Sequence, residues 1–156
     1  MRGPRAADDV FGAFVDLWQR LRSESAAPGT VIVVEGDRDR RALRRLGIEG
    51  PIAVVHAGRT LSGTAQQLGG TPGRVILLTD WDTEGGHFAQ RFKEYLAAGR
   101  TELDLEYRRR LARILRGELV HVEGLAGWAR RQAERRGQSL DLFAEPAPAE
   151  LDGPTE

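Results

Sequence analysis

The sequence predicts an α/β domain built on a mainly parallel sheet with helices on both faces. Three observations carry this. Three short β-branched runs read as strands: "TVIVVEG", too apolar for an edge strand, and "RVILLTD" as buried ones, with "PIAVVHAG" between them. Segments of helical period alternate with them. The chain has 156 residues, 40% of them hydrophobic, which suits one domain with a real core.

The elements follow in order. Val10, Phe11, Phe14, Leu17, Trp18 and Leu21 fall at helical spacing behind a cap at Asp8, and "AAPGT" ends that amphipathic helix. Thr30 to Gly36 is the first strand. "DRDRRALRRLGI" is a helix with acids in its first turn, arginines in its last and Gly47 at its end, in keeping with the macrodipole and C-cap preferences. Pro51 to Gly58 is the second strand, a short helix runs through Leu61, Ala65 and Leu68, and "GGTPG" is a turn.

"RVILLTD" is the third strand, followed by a helix on Phe88, Phe92 and Leu96 that stops near Gly99. Leu103 to Arg116 reads as another helix, with Tyr107, Leu111, Ile114 and Leu115 on one face. "ELVHVEG" reads as a peripheral fourth strand and Leu125 to Arg136 as a last helix. No internal repeat is present. The organisation expected is an N-terminal helix over residues 1–28 packed on a domain over 29–140, then an acidic tail over 141–156.

Composition narrows the chemistry. Without cysteine there are no disulfides, thiolate zinc sites or cysteine nucleophile. No apolar run reaches bilayer length and no signal peptide is evident, so no membrane association and a cytoplasmic location are expected. The net charge of zero hides an asymmetry: the last sixteen residues carry five acids and no base, which leaves +5 on the rest. That Pro- and Ala-rich tail has the composition of a disordered segment. Lys93 is the only lysine. Arginine suits bidentate phosphate contacts, but a composition or thermal bias toward arginine on solvated faces is the preferred reading.

In open parallel sheets, ligands bind beyond the C-terminal ends of the strands. Two strands here end in acid followed by glycine: Glu35-Gly36 after the first, and Asp80 and Asp82 with Gly85-Gly86 after the third. If the two strands are neighbours, three carboxylates converge, an arrangement that repels itself unless a cation or a proton-transfer role compensates. Three oxygen donors suit Mg²⁺ or Mn²⁺, which keep several waters and bridge to phosphate. The glycines would let backbone approach such a substrate, and the helix beginning near Thr83 offers free N–H groups. The competing reading is that the aspartates cap that helix and Glu35 makes a surface contact.

This constellation resembles the Toprim domain, shared by topoisomerases, bacterial-type primases, a ribosomal-RNA-maturing ribonuclease and the overcoming-lysogenization-defect nucleases. The resemblance rests on "VIVVEGDRD", with Glu35 and Gly36, and on "LLTDWDTEG", with Asp80, Asp82 and Gly85 in the Asp-x-Asp-x-x-Gly pattern, and covers about Thr30 to Val122. The chain looks most like the small stand-alone Toprim proteins of archaea and some bacteria. It implies a three-layer, Rossmann-like fold with a four-stranded sheet. It also implies Mg²⁺ or Mn²⁺ at Asp80 and Asp82, with Glu35 as general acid or base or as a further ligand.

The activity so implied is phosphodiester chemistry on nucleic acid, a nuclease or nucleotidyl transferase with RNA favoured over DNA. The alternative is a non-catalytic metal- and nucleic-acid-binding module within a larger protein complex. At this length and without cysteine, neither the tyrosine domain of topoisomerases nor the zinc domain of primases is expected, and no P-loop motif is read in these residues. A phosphoacceptor receiver domain would need a lysine on a late strand, and Lys93 lies in a helix.

Other residues have two readings each. Arg38 and Arg59 near the acidic edge would contact phosphate or remain solvated. Asp39 would orient a metal-bound water or, the reading preferred, cap its own helix. Trp81 would be a stacking platform for a base or a packing residue. His56, His87 and His121 show no metal-ligand spacing, and His87 reads as solvent-facing.

Overall fold

The computed structural model describes residues 7–55, 60, 63–64, 73–97, 99–138 and 143. Its elements are α1 (Ala7–Ser25), β1 (Thr30–Val34), α2 (Asp37–Arg45), β2 (Ile52–Val54), β3 (Arg74–Leu77), α3 (Thr83–Leu96), β4 (Glu102–Asp104), α4 (Glu106–Ile114) and α5 (Leu125–Arg135). A 3₁₀ turn over Val122–Gly124 leads into α5. The four strands form one parallel sheet in the order β2-β1-β3-β4. The chain therefore moves outward from β1 to β2, then returns to place β3 on the other side of β1. That reversal makes the β1/β3 junction the switch point.

Alternation along the central strands divides the core into two. Ile32, Val34, Ile76 and Leu78 face the larger half, which α1, α2, α4 and α5 cover. Val33, Val75 and Leu77 face Phe88, Ala89, Phe92 and Leu96 of α3. The result is the expected three-layer α/β/α arrangement, with β1 and β3 buried on both faces.

The fourth strand is not the expected one. "ELVHVEG" is irregular through His121 because its backbone bonds go elsewhere: Trp81 N–H donates to Val120 O at 3.0 Å and Val122 N–H to an Asp80 carboxylate oxygen at 2.8 Å. The edge strand is instead Glu102–Asp104, paired with β3 in parallel, and α4 begins after it rather than at Leu103. Leu103 and Leu105, two apart, pack on the α3 side, so a short period-two signal was present. Asp8 lies inside α1 rather than ahead of it. The helix proposed through Leu61, Ala65 and Leu68 falls outside the described residues, apart from a helical Gly63-Thr64.

α1 anchors the larger core. Trp18 is fully buried and its Nε1–H donates to Leu46 O at 2.8 Å, while Phe14 stacks on Trp18 at 5.3 Å and meets Trp128 edge-on at 5.1 Å. Phe143, within the stretch assigned to the tail, is fully buried against Phe14 at 6.1 Å. Packing therefore continues past residue 140 at this point. Gly47 makes room for it: its φ of +86° favours glycine, and a Cβ there would lie 1.8 Å from Phe143 O. Tyr107 is buried with its hydroxyl donating to Glu24, whereas Tyr95 is exposed. Among the described residues, no helix is long and apolar enough to cross a membrane.

Candidate metal centre

Glu35 follows β1, and Asp80 and Asp82 follow β3, so the adjacency of these strands brings the three predicted acids to one edge. Glu35, half-buried, accepts from Asp80 N–H at 3.3 Å. Asp82 is the N-cap of α3, one carboxylate oxygen accepting from Gly85 N–H at 2.7 Å. Asp80 caps nothing in α3: one oxygen takes the Val122 N–H, and the other lies 3.1 Å from His121 Nδ1. His121 Nδ1 is also 3.8 Å from Asp82 Oδ2. One donor atom from each of Asp80, Asp82 and His121 lies within 4.8 Å of the other two.

Two of these neighbours were not foreseen. Spacing along the chain set His121 aside because its partners are about forty residues away and the segment carrying it imitated a strand. Arg108 was missed as well. From α4 it donates to Thr79 O at 3.2 Å, Thr79 Oγ1 at 2.9 Å and Asp80 O at 2.8 Å, and so braces the loop that carries both aspartates. Its only sequence signal is its place beside the core-facing Tyr107.

The acids strain one another electrostatically. Burial, then the charge of Asp80, raises the Glu35 carboxyl above the usual range. Asp39, in the first turn of α2, is pushed up to about 6 by burial and by Asp80, against the pull of the Gly36 N–H that it accepts at 3.2 Å. It is thus the helix cap that the sequence favoured. Burial lowers Arg108, which the three acids partly restore. The hydrogen bond to Asp80 raises His121. Three carboxylates at one edge, with Arg108 bonded to the loop backbone and the Thr79 hydroxyl, form a concentration of negative charge of the kind that attracts a cation. Its donors, two carboxylates and an imidazole, fit a divalent ion.

The remaining predicted residues fall as follows. Trp81 spends its indole N–H on Leu119 O at 2.8 Å and packs on the larger core, which makes it a packing residue that ties the 119–121 segment down. Gly85 is required by its own chain: a Cβ would stand 1.8 Å from Asp80 O. At Gly36 and Gly86 a Cβ would meet nothing closer than 3.7 Å. Arg38 is exposed on α2 and His87 on α3. Arg59 and His56 lie outside the described residues.

The Toprim domain profile matches residues 30–114, more than half of the chain. The chain belongs to the Toprim family. Toprim domains bind divalent metals and carry metal-dependent nucleic-acid chemistry. Among its relatives, a UPF0292 protein of Methanosarcina acetivorans is 35% identical over 76% of this chain and 82% of its own length. A UPF0292 protein of Thermococcus onnurineus is 32% identical over 73% and 81%. A solved structure of a protein from Aquifex aeolicus is similar with a TM-score of 0.59 and 28% identity, over 77% of this chain and 98% of that one. The Toprim match includes Glu35, Asp80, Asp82 and Arg108 and ends before His121.

Proposed function

We propose that this Toprim protein is a divalent-metal-dependent nuclease of the cytoplasm that cleaves phosphodiesters, preferentially in RNA. The observation that supports it is the meeting of Glu35, Asp80 and Asp82 at the sheet's switch point, where the neighbouring Asp80 charge adds to burial in raising Glu35. Asp80 and Asp82 would hold Mg²⁺ or Mn²⁺. A bound ion supplies charge neutralisation at a phosphate oxygen and acidifies water. Glu35 holds or moves the proton: its raised affinity brings it nearer the range in which a carboxyl works as general acid or base. Arg108 keeps the acidic loop in place through Thr79 and Asp80, and the exposed Arg38 offers a contact to phosphate. RNA is put ahead of DNA because a ribonuclease needs the fewest additional domains, and the modest +5 on residues 1–140 is weak support for gripping long duplexes unaided.

The test is cleavage of labelled structured RNA, single-stranded DNA and duplex DNA with Mg²⁺, Mn²⁺ or chelator, beside Glu35→Gln and Asp80→Asn. Metal-dependent cleavage, strongest on RNA, should be lost in both variants, with ion binding lost only in Asp80→Asn. Ion binding without cleavage of any substrate would favour a module that works within a complex.

A further inference from the structure

We infer that His121 is a ligand of the metal, which makes this a mixed nitrogen–oxygen centre selecting a first-row transition ion over Mg²⁺. The inference rests on the proposed metal site and extends it. An exposed histidine adds nothing to a core, yet the backbone on both sides of this one is pinned to the acidic loop. Leu119 O and Val120 O accept from the indole and backbone N–H groups of Trp81, and Val122, fully buried, donates to Asp80. Its Nδ1 is thereby held 3.1 Å from Asp80 Oδ2 and 3.8 Å from Asp82 Oδ2. Adjacent ligands of a six-coordinate ion with bonds of about 2.1–2.2 Å sit roughly 3 Å apart. The two distances from His121 are near that and all three atoms lie within 4.8 Å of one another, so one ion can meet all three once the side chains draw together.

The donor type decides the preference. Mg²⁺ takes oxygen ligands and gains little from imidazole, whereas affinity for nitrogen rises along the first-row series from Mn²⁺. An all-oxygen set from Glu35, Asp80 and Asp82 would discriminate less. His121 also lies beyond the segment matched by the Toprim profile, so this ligand would be an addition to the shared acidic pair.

Mn²⁺ is the probe. Untagged protein loaded with Mn²⁺ should give ¹⁴N modulation in electron spin-echo spectra, absent in His121→Ala. In the same variant Mn²⁺ affinity by calorimetry should fall about tenfold or more, and Mg²⁺ affinity less than about threefold. His121→Asp, which puts an oxygen donor in place of the imidazole, should bind Mg²⁺ at least as well as the wild type but give no nitrogen signal. A positioning role through Asp80 would lower both affinities together without any nitrogen coupling. Mn²⁺ bound through Asp80 with no ¹⁴N signal from His121 overturns the inference and leaves the metal site standing. No Mn²⁺ binding by the wild-type protein overturns both.

Discussion

A helix cap and a metal ligand need not be different residues. Asp82 gives one oxygen to Gly85 N–H and keeps the other toward His121, so capping α3 leaves an oxygen available to the proposed ion. Asp39 shows the cost of the arrangement. It caps α2, but burial and Asp80 favour its protonated form, with the midpoint pushed up to about 6 from an ordinary 3.8. The folded protein therefore binds this proton more tightly than the unfolded chain does, and stability falls as pH rises between those two values. Asp39→Asn keeps an oxygen for Gly36 N–H and removes the titration. In chelator, the variant should match the wild type near pH 3.5 and exceed it by on the order of 2 kcal/mol at pH 7, measured by denaturant unfolding. A difference that does not change with pH would count against this account. At this scale the sequence was informative where chemistry is local: the acid-glycine strand ends and the Asp39 cap were legible. Arg108 and His121 were not, since each acquires its role only through a partner on a distant segment.

The loop between β3 and α3 is held by close fits rather than by length. Gly85 sits against the Asp80 carbonyl, while Gly86, its neighbour, has open space up to Arg108 at 3.7 Å. Two adjacent glycines should thus respond oppositely. Gly85→Ala must displace backbone and should cost about 2–3 kcal/mol, with weakened ion binding because Asp80 moves. Gly86→Ala fills free space inside a helix and should gain about 0.5–1 kcal/mol. Thermal unfolding and calorimetric Mn²⁺ titration of the pair would check both signs. The same elements explain the strand that was misplaced. "ELVHVEG" has the alternation of a strand, yet its hydrogen-bonding groups are claimed by Asp80 and Trp81; "TELDL" has a shorter alternation and finds a free edge on β3. Periodicity states which face a segment can bury, and only tertiary pairing decides whether a neighbouring strand is there.

Across the whole molecule, the switch in strand order puts the acids at one end of α2 and the aromatic packing at the other. Gly36 and Asp39 begin that helix beside the candidate centre, and Gly47 follows its last turn against Phe143. Nine helical residues at about 1.5 Å each separate the two ends by roughly 13 Å. Stability and ion binding should therefore be separable. Phe143 is fully buried beside Phe14, and its carbonyl closes over Gly47, so a residue from the chain's acidic C-terminal stretch completes the larger core. Composition pointed away from this, because five acids among prolines and alanines outweigh one phenylalanine in any average. Phe143→Ala should lower the unfolding free energy by about 3–4 kcal/mol, a large share of the roughly 5–15 kcal/mol typical of a domain. It should leave Mn²⁺ affinity within about twofold of wild type at a temperature where both stay folded, because it packs on Phe14 and Gly47, at the end of α2 away from the acidic edge. Loss of ion binding in a variant that remains folded would mean that α2 couples its two ends rigidly, and that the C-terminal stretch helps set the geometry of the centre.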